Sequence, residues 1–183
     1  MSKAILFFAD GLEECEGLLV VDLLRRAGIE VQTVSISGKP EVTSSHGVTI
    51  RCDAVAETAN LADADAVVLP GGMPGTTHLA ESEIVARTVR DYAACGKLVA
   101  AICAAPSVLG GLGLLQGKRA TVYPGFEDKL TGAIVTDGEF VTDGNIVTAC
   151  GLGAAIPFAL ELIRHLEGDA KASHVRESIG YRH

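Results

Sequence analysis

The sequence predicts an α/β protein with a mostly parallel central sheet between two layers of helices. Short, continuous apolar segments recur along the chain and alternate with longer segments that have a helical hydrophobic period. Gly, Pro or Asp-Gly cuts off most of the apolar segments, as is typical of strand ends. Because strands that alternate with helices are joined by right-handed crossovers, this rhythm indicates a three-layer sandwich.

The predicted buried strands are short apolar runs bounded by turn residues. They span Lys3–Ala9, Glu30–Ile36, Ala64–Leu69, Lys97–Ile102 and Asn145–Ala149. The segment Val48–Arg51 reads as a short edge strand. Val135–Gly138 and Val141–Gly144 repeat the same Val-Thr-Asp-Gly motif, which favours tight hairpins and predicts a β-hairpin insertion.

The predicted helices follow these strands and carry apolar stripes. They span Glu13–Ala27, Glu83–Ala94, Pro106–Leu115 and Gly153–Leu166. The first has acidic residues in its first turn and Arg25 and Arg26 in its last, before Gly28 as a stop signal. We expect the tail 178–183 to be frayed.

Composition limits the classes of function. A chain of 183 residues that is 48% hydrophobic predicts one domain over residues 1–183 with a real core. Its net charge of -8 argues against binding to nucleic acid or to an anionic membrane surface. Five cysteines without a CxxC pair favour reduced thiols in the cytoplasm over disulfides or a metal site.

One uncharged stretch has the length of a membrane span. Residues 98–117 contain no charged side chain over 20 residues. Pro106 and four glycines interrupt the stretch, and its first part is continuous with a strand pattern. We therefore interpret it as a buried strand followed by a buried helix.

Cys103 follows a predicted strand and precedes a predicted helix, in the sequence Ala-Ile-Cys-Ala-Ala-Pro. This is the context of a nucleophile elbow, in which small neighbours relieve crowding around a reactive side chain. A helix N-terminus would favour the thiolate and lower the thiol pKa. We interpret the other four cysteines, at positions 15, 52, 95 and 150, as small buried apolar residues.

The glycine-rich loop after the neighbouring strand offers backbone amides for an oxyanion. In Leu69–Gly75 two consecutive glycines follow Pro70, and glycine lets the backbone approach a ligand closely. The amides of Gly72 and Ala104 are the donors that we expect to face the thiol.

An acidic side chain from the first helix is expected beside the thiol. Glu13 and Glu16 both precede apolar positions along the helix, whereas Glu14 lies on a more polar line. Burial would raise the carboxyl pKa, and a protonated Glu can donate a hydrogen bond to a thiolate. Spacing leaves Glu13 and Glu16 as alternatives.

The chain resembles the ThiJ/PfpI superfamily, in the branch named after the parkinsonism-associated protein DJ-one. The resemblance covers nearly the whole chain and lies in the motifs Asp10–Glu16, Asp22–Gly28, Val67–Gly72 and Ala100–Pro106. It implies a flavodoxin-like, class I glutamine amidotransferase-like domain that forms a homodimer and needs no cofactor. It also implies that the reactive pair is Cys103 and Glu16, with Gly71, Gly72 and Ala104 in the oxyanion pocket.

Three positions depart from the pattern of the family. Tyr123 stands where many members have His, and a Tyr with a pKa near about 10 is a poor base at neutral pH. His46 replaces an Arg that some members have. Ala104 stands where the protease-like branch has His, so we do not expect a peptidase. Both Tyr123 and His46 are expected at the substrate side of the site.

The resemblance implies an enzyme that acts on α-oxoaldehydes such as methylglyoxal, or on their adducts with proteins, in the manner of a glyoxalase or deglycase. The alternative is a stress-protective redox sensor whose Cys103 is oxidised to sulfinic acid. A role in thiazole monophosphate synthesis has less support, because the sequence shows no phosphate-binding loop. The partners expected are a reactive aldehyde or a glycated protein, and a second copy of the chain.

Overall fold

A computed structural model describes residues 1–182 and has a seven-stranded sheet at its centre. The strands of that sheet are β1 (Lys3–Phe8), β2 (Glu30–Ser35), β5 (Ala54–Val55), β6 (Ala66–Leu69), β7 (Leu98–Ile102), β10 (Phe140–Asp143) and β11 (Ile146–Ala149). Their order is β10-β11-β7-β6-β1-β2-β5, and every pair is parallel except β10 with β11. The mostly parallel sheet that the sequence predicts is confirmed.

Two smaller sheets lie outside the central one. They pair β3 (Glu41–Thr43) with β4 (Thr49–Arg51) and β8 (Arg119–Ala120) with β9 (Ile134–Val135). The helices are α1 (Glu14–Arg26), α2 (Gly75–Glu81), α3 (Glu83–Ala94), α4 (Pro106–Gly111), α5 (Ala155–Glu167) and α6 (Asp169–Ser178).

The helices cover both faces of the sheet, as the strand–helix alternation predicts. On one face α1, α5 and α6 pack on the alternate strand residues that include Leu6 and Ala100. On the other face α2, α3 and α4 pack on the intervening residues, which include Phe7 and Val99. All five residues of β7 are buried, because this strand lies inside the sheet with helices above and below it.

The structure differs from the prediction in the pairing of one strand, the end of one helix and several short elements. The hairpin predicted at Asp143-Gly144 joins β10 to β11, but Asp137-Gly138 joins β9 to β10, which do not pair. Helix α4 ends at Gly111 rather than at Leu115, since Gly113 adopts a left-handed conformation with φ of 74°. The sequence patterns missed the strands β3, β5 and β8 and the helices α2 and α6.

The end of the described chain is packed rather than frayed. Ile179 and Tyr181 lie against the core on the side of α1 and α5. The predicted fraying is therefore wrong as far as Tyr181, and His183 lies outside the described residues.

The uncharged stretch 98–117 forms β7, the turn after it and α4. Within residues 1–182, none of the helices has both the length and the apolar character that crossing a membrane requires. The interpretation as a buried strand and helix is confirmed.

Candidate active site

The candidate site lies where the chain connections of the sheet reverse direction. β1 lies between β2 and β6, so the loops that leave β1 and β6 diverge at their carboxyl ends. Such a switch point is the usual ligand site in an open parallel sheet. Helix α1 follows β1, the Gly71-Gly72 loop follows β6, and Cys103 follows β7 at the same edge.

Cys103 occupies a strained turn between β7 and α4. Its φ of 64° makes it the one non-glycine residue in the described chain with positive φ. Its N–H donates to the carbonyl of Ala149 at 2.9 Å, and its carbonyl accepts from the N–H of Tyr123 at 2.8 Å. The residue is half-buried. These features are those of the predicted nucleophile elbow.

Glu16 is the acid that meets this thiol. It is 1% exposed, hydrogen-bonds to Cys103 and accepts the N–H of Gly71 on Oε2 at 3.0 Å. Glu13 instead caps α1, where its carboxylate accepts the N–H of Glu16 at 2.6 Å. The packing of α1 against the Gly71 loop thus decides between the two acids.

Gly71 permits the close approach of acid and thiol. A Cβ atom at this position would lie 2.5 Å from the Cβ of Cys103 and 2.6 Å from Oε2 of Glu16. Such distances are far below ordinary contact, so a side chain here would separate the pair. The glycine that the sequence predicts for the pocket is therefore a steric requirement of the pair.

Two backbone amides face the sulfur. The N–H groups of Gly72 and Ala104 hydrogen-bond to the Cys103 thiol. Gly72 has a φ of 90°, which favours glycine, and a Cβ there would lie 2.2 Å from the nitrogen of Glu13. The two donors predicted from sequence thus lie beside the atom that would attack a carbonyl.

Burial governs the titration of the pair. It raises the pKa of the Glu16 carboxyl to about 7, and the negative charge of Glu13 adds to that rise. Burial and an ionised Glu16 raise the pKa of the Cys103 thiol to about 12. The lowered thiol pKa that the sequence predicts is wrong in that state, because burial and the charge of Glu16 outweigh the N-terminus of the short helix α4. With Glu16 protonated, its charge no longer opposes the thiolate, and the amides of Gly72 and Ala104 counter the burial that raises the thiol pKa.

His46 lies at the rim, in the turn between β3 and β4. Its Nδ1 is 3.0 Å from Oε2 of Glu14 and 4.0 Å from Oε1 of Glu13. The hydrogen bond to Glu14 raises the pKa of the imidazole and lowers that of the Glu14 carboxyl. Within residues 1–182, this is the group whose ligand atoms could hold a metal, since they lie within 4.8 Å of one another. The hydrogen bond between His46 and Glu14 by itself accounts for the arrangement.

Tyr123 is attached to the nucleophile turn through its backbone. Its N–H binds the Cys103 carbonyl, and its side chain is 49% exposed. The ring lies over Gly151, where a Cβ atom would be 3.3 Å from Cδ2. Tyr123 therefore lies beside the nucleophile turn, with its side chain partly exposed.

Three of the four remaining cysteines differ from their predicted burial. Cys52 is buried, as expected, and burial raises its thiol pKa to about 11. Cys15 and Cys95 are exposed, and Cys150 is half-buried, so the prediction is wrong for these three. Each of them lies at an element end or a first helical turn rather than inside a strand.

Glu13 is a site residue whose role the sequence patterns missed. Its spacing of three residues before Glu16 is that of an N-cap and the N3 position of a helix. An N-cap and N3 pattern at Glu13 and Glu16 predicts one acid at the helix cap and the other inside the first turn.

Known proteins share this fold and sequence pattern. Residues 2–165 match the DJ-1/PfpI family. The chain is 38% identical over 182 residues to Protein dj-1beta of Drosophila melanogaster. The alignment covers 98% of this chain and 97% of that relative. It is 32% identical over 174 residues to the glutathione-independent glyoxalase DJR-1.2 of Caenorhabditis elegans, with 94% and 92% covered. The solved structure of oxidized Toxoplasma gondii DJ-1 covers 100% of both chains with a TM-score of 0.96 and 35% identity. The chain therefore belongs to the DJ-1/PfpI family, and the resemblance found in its motifs is confirmed.

Proposed function

We propose that this chain is a Cys103-dependent enzyme that converts α-oxoaldehydes such as methylglyoxal, or their early protein adducts, without glutathione. The hydrogen-bonded pair of Cys103 and Glu16, with two backbone amides at the sulfur, carries the proposal. The nematode relative, named a glutathione-independent glyoxalase, supports the substrate class.

In this mechanism Glu16 is the acid and Cys103 is the nucleophile, and the two side chains together carry one negative charge. At neutral pH a carboxyl with a pKa of about 7 is protonated in about half of the molecules. When Glu16 carries the proton, the sulfur can hold the negative charge beside the N–H groups of Gly72 and Ala104. The thiolate is then the attacking form, and the acid supplies a proton.

The reaction begins when the Cys103 sulfur attacks the aldehyde carbon and forms a C–S bond. The amides of Gly72 and Ala104 stabilise the alkoxide, which takes the proton of Glu16 and gives a hemithioacetal. Glu16, now a carboxylate, removes the hydrogen from this carbon as a proton and returns it to the adjacent carbon. The hydroxyl proton of the hemithioacetal passes to the adjacent carbonyl oxygen, which leaves an α-hydroxy thioester. Water cleaves the thioester, releases the α-hydroxy acid and restores the thiol, so that the net reactants are the aldehyde and one water.

The direct test is lactate formation from methylglyoxal by purified protein in buffer free of glutathione. We expect turnover by the wild type, none with Cys103→Ser, and at least a hundredfold loss with Glu16→Gln, since removing a catalytic proton donor typically costs 10²–10⁴ in rate. Cys95→Ser is the matched control, because Cys95 is exposed and caps α3 before β7, whereas Cys103 follows the opposite end of that strand. Undiminished turnover in Cys103→Ser would refute the mechanism.

A second candidate function is redox sensing through the same thiol. The thiolate would be oxidised by two equivalents of peroxide to sulfinate and two waters, and a protonated Glu16 would donate a hydrogen bond to the product. The oxidized state of the Toxoplasma gondii structure favours this candidate. Mass spectrometry after mild peroxide should find sulfinate at Cys103 before Cys15 or Cys95. Equal oxidation of all three would contradict it.

A further inference from the structure

Glu13 contacts both the start of α1, which carries Glu16, and the loop after β6. Its backbone N–H donates to the carbonyl of Gly71 at 2.8 Å, which ties the start of α1 to the loop after β6. Its side chain, only 14% exposed, accepts the N–H of Glu16 on Oε2 at 2.6 Å. One residue thus connects the helix that carries Glu16 to the loop that carries the amides of Gly71 and Gly72.

The fit around Glu13 is tight. A Cβ atom on Gly72 would lie 2.2 Å from the Glu13 nitrogen, so the two backbones are in direct contact. Gly71 donates to the carboxyl of Glu16, and Gly72 donates to the thiol of Cys103. A displacement of Glu13 would therefore move both partners of the reactive pair.

The charge of Glu13 acts on the same pair. Glu16 is faced by Cys103 from the turn after β7 and by Glu13 from its own helix, while the Cys150 thiol at the end of β11 also senses its charge. His46, from the turn between β3 and β4, lies 4.0 Å from the other oxygen of Glu13. Glu13 is therefore the anionic group that acts directly on Glu16 and disfavours a second negative charge there.

We propose that Glu13 is a positioning residue, whose carboxylate holds Glu16 against Cys103 and whose charge keeps that acid protonated. The role rests on the proposed function, in which the proton of Glu16 is used in the reaction. Removal of the Glu13 charge would make the Glu16 carboxyl more acidic. The proton that Glu16 and Cys103 share would then pass to the sulfur and leave less thiolate at neutral pH. The role differs from that of Glu14, which pairs with His46 and does not act on Glu16.

The test is the pH dependence of Cys103 alkylation by iodoacetamide, followed by mass spectrometry of the Cys103 peptide. Glu13→Gln keeps an oxygen for the cap but removes the charge, whereas Glu13→Ala removes both. We expect Glu13→Gln to slow alkylation at pH 7 by roughly three- to tenfold. Glu13→Ala should show at least that loss together with a lower melting temperature. Glu14→Gln is the matched control and should follow the wild-type profile.

Two outcomes would overturn this role. One is a Glu13→Gln profile that superimposes on that of the wild type. The other is a loss confined to Glu13→Ala, because helix capping alone would then explain it. Alkylation involves no substrate, so these outcomes are separate from the proposed reaction: absence of lactate formation by the wild type, with the profile still shifted, would refute the reaction and not the role of Glu13.

Discussion

The substitution Gly71→Ala tests whether the reactive pair depends on a close approach of backbone to thiol. The new Cβ would lie 2.5 Å from the Cβ of Cys103, whereas ordinary contact begins at 3.4 Å, so the atoms must separate by about 0.9 Å. It would also press on Oε2 of Glu16 at 2.6 Å. A misplacement of about 1 Å in an active site costs on the order of 10²-fold in rate. We therefore expect about a hundredfold loss of turnover and of Cys103 alkylation.

The matched control is Gly111→Ala at the end of α4, where an added Cβ meets nothing within 4 Å. This variant should retain full activity and gain up to about 1 kcal/mol of stability from helix propensity. Gly71→Ala should lose about 1–3 kcal/mol through overpacking, which leaves a foldable protein for the assay. Wild-type turnover and alkylation in folded Gly71→Ala would refute the steric argument, because the pair would then tolerate the added methyl.

Three further predictions concern stability and assembly. Phe158→Ala removes a fully buried ring and should lower the free energy of unfolding by about 3–5 kcal/mol in urea titrations; a loss under 1 kcal/mol would contradict its core position. Burial raises the pKa of Glu16 from 4.5 to about 7, so wild-type stability should fall by up to about 3 kcal/mol as pH rises through this window, since the unfolded chain releases its proton first. Glu16→Gln should flatten that slope in denaturation curves at several pH values, and an unchanged slope would count against the raised pKa. The third prediction is that light scattering of the wild type finds the homodimer expected from the sequence, and a monomer would contradict it.

The turn at Cys103 could be predicted because its determinants are local. A buried strand, a small-residue turn and a proline suited to the first helical turn are adjacent in sequence. The sharp turn that they predict is present, and Cys103 has a positive φ in it. The titration of the thiol was predicted in the wrong direction, because burial and the charge of Glu16 depend on elements that are distant in the chain.

The missed elements have a common physical origin. Strand β3 pairs with β4 across the turn that holds His46, and its three residues show too little alternation for a pattern to be recognised. Helix α2 begins at Gly75 and has no side-chain cap, so the usual start signal is absent. In both cases contacts outside the segment, rather than its own propensity, decide the structure.

By itself the sequence determined the α/β class, the parallel core strands and the position of the reactive cysteine, since hydrophobic period and turn chemistry are properties of adjacent residues. Tertiary structure decided that Glu16 meets the thiol while Glu13 caps the helix, because this depends on how α1 seats against Gly71. It also decided the charge state of the pair, since desolvation and the approach of Glu13 arise only when β1, β6 and β7 lie side by side.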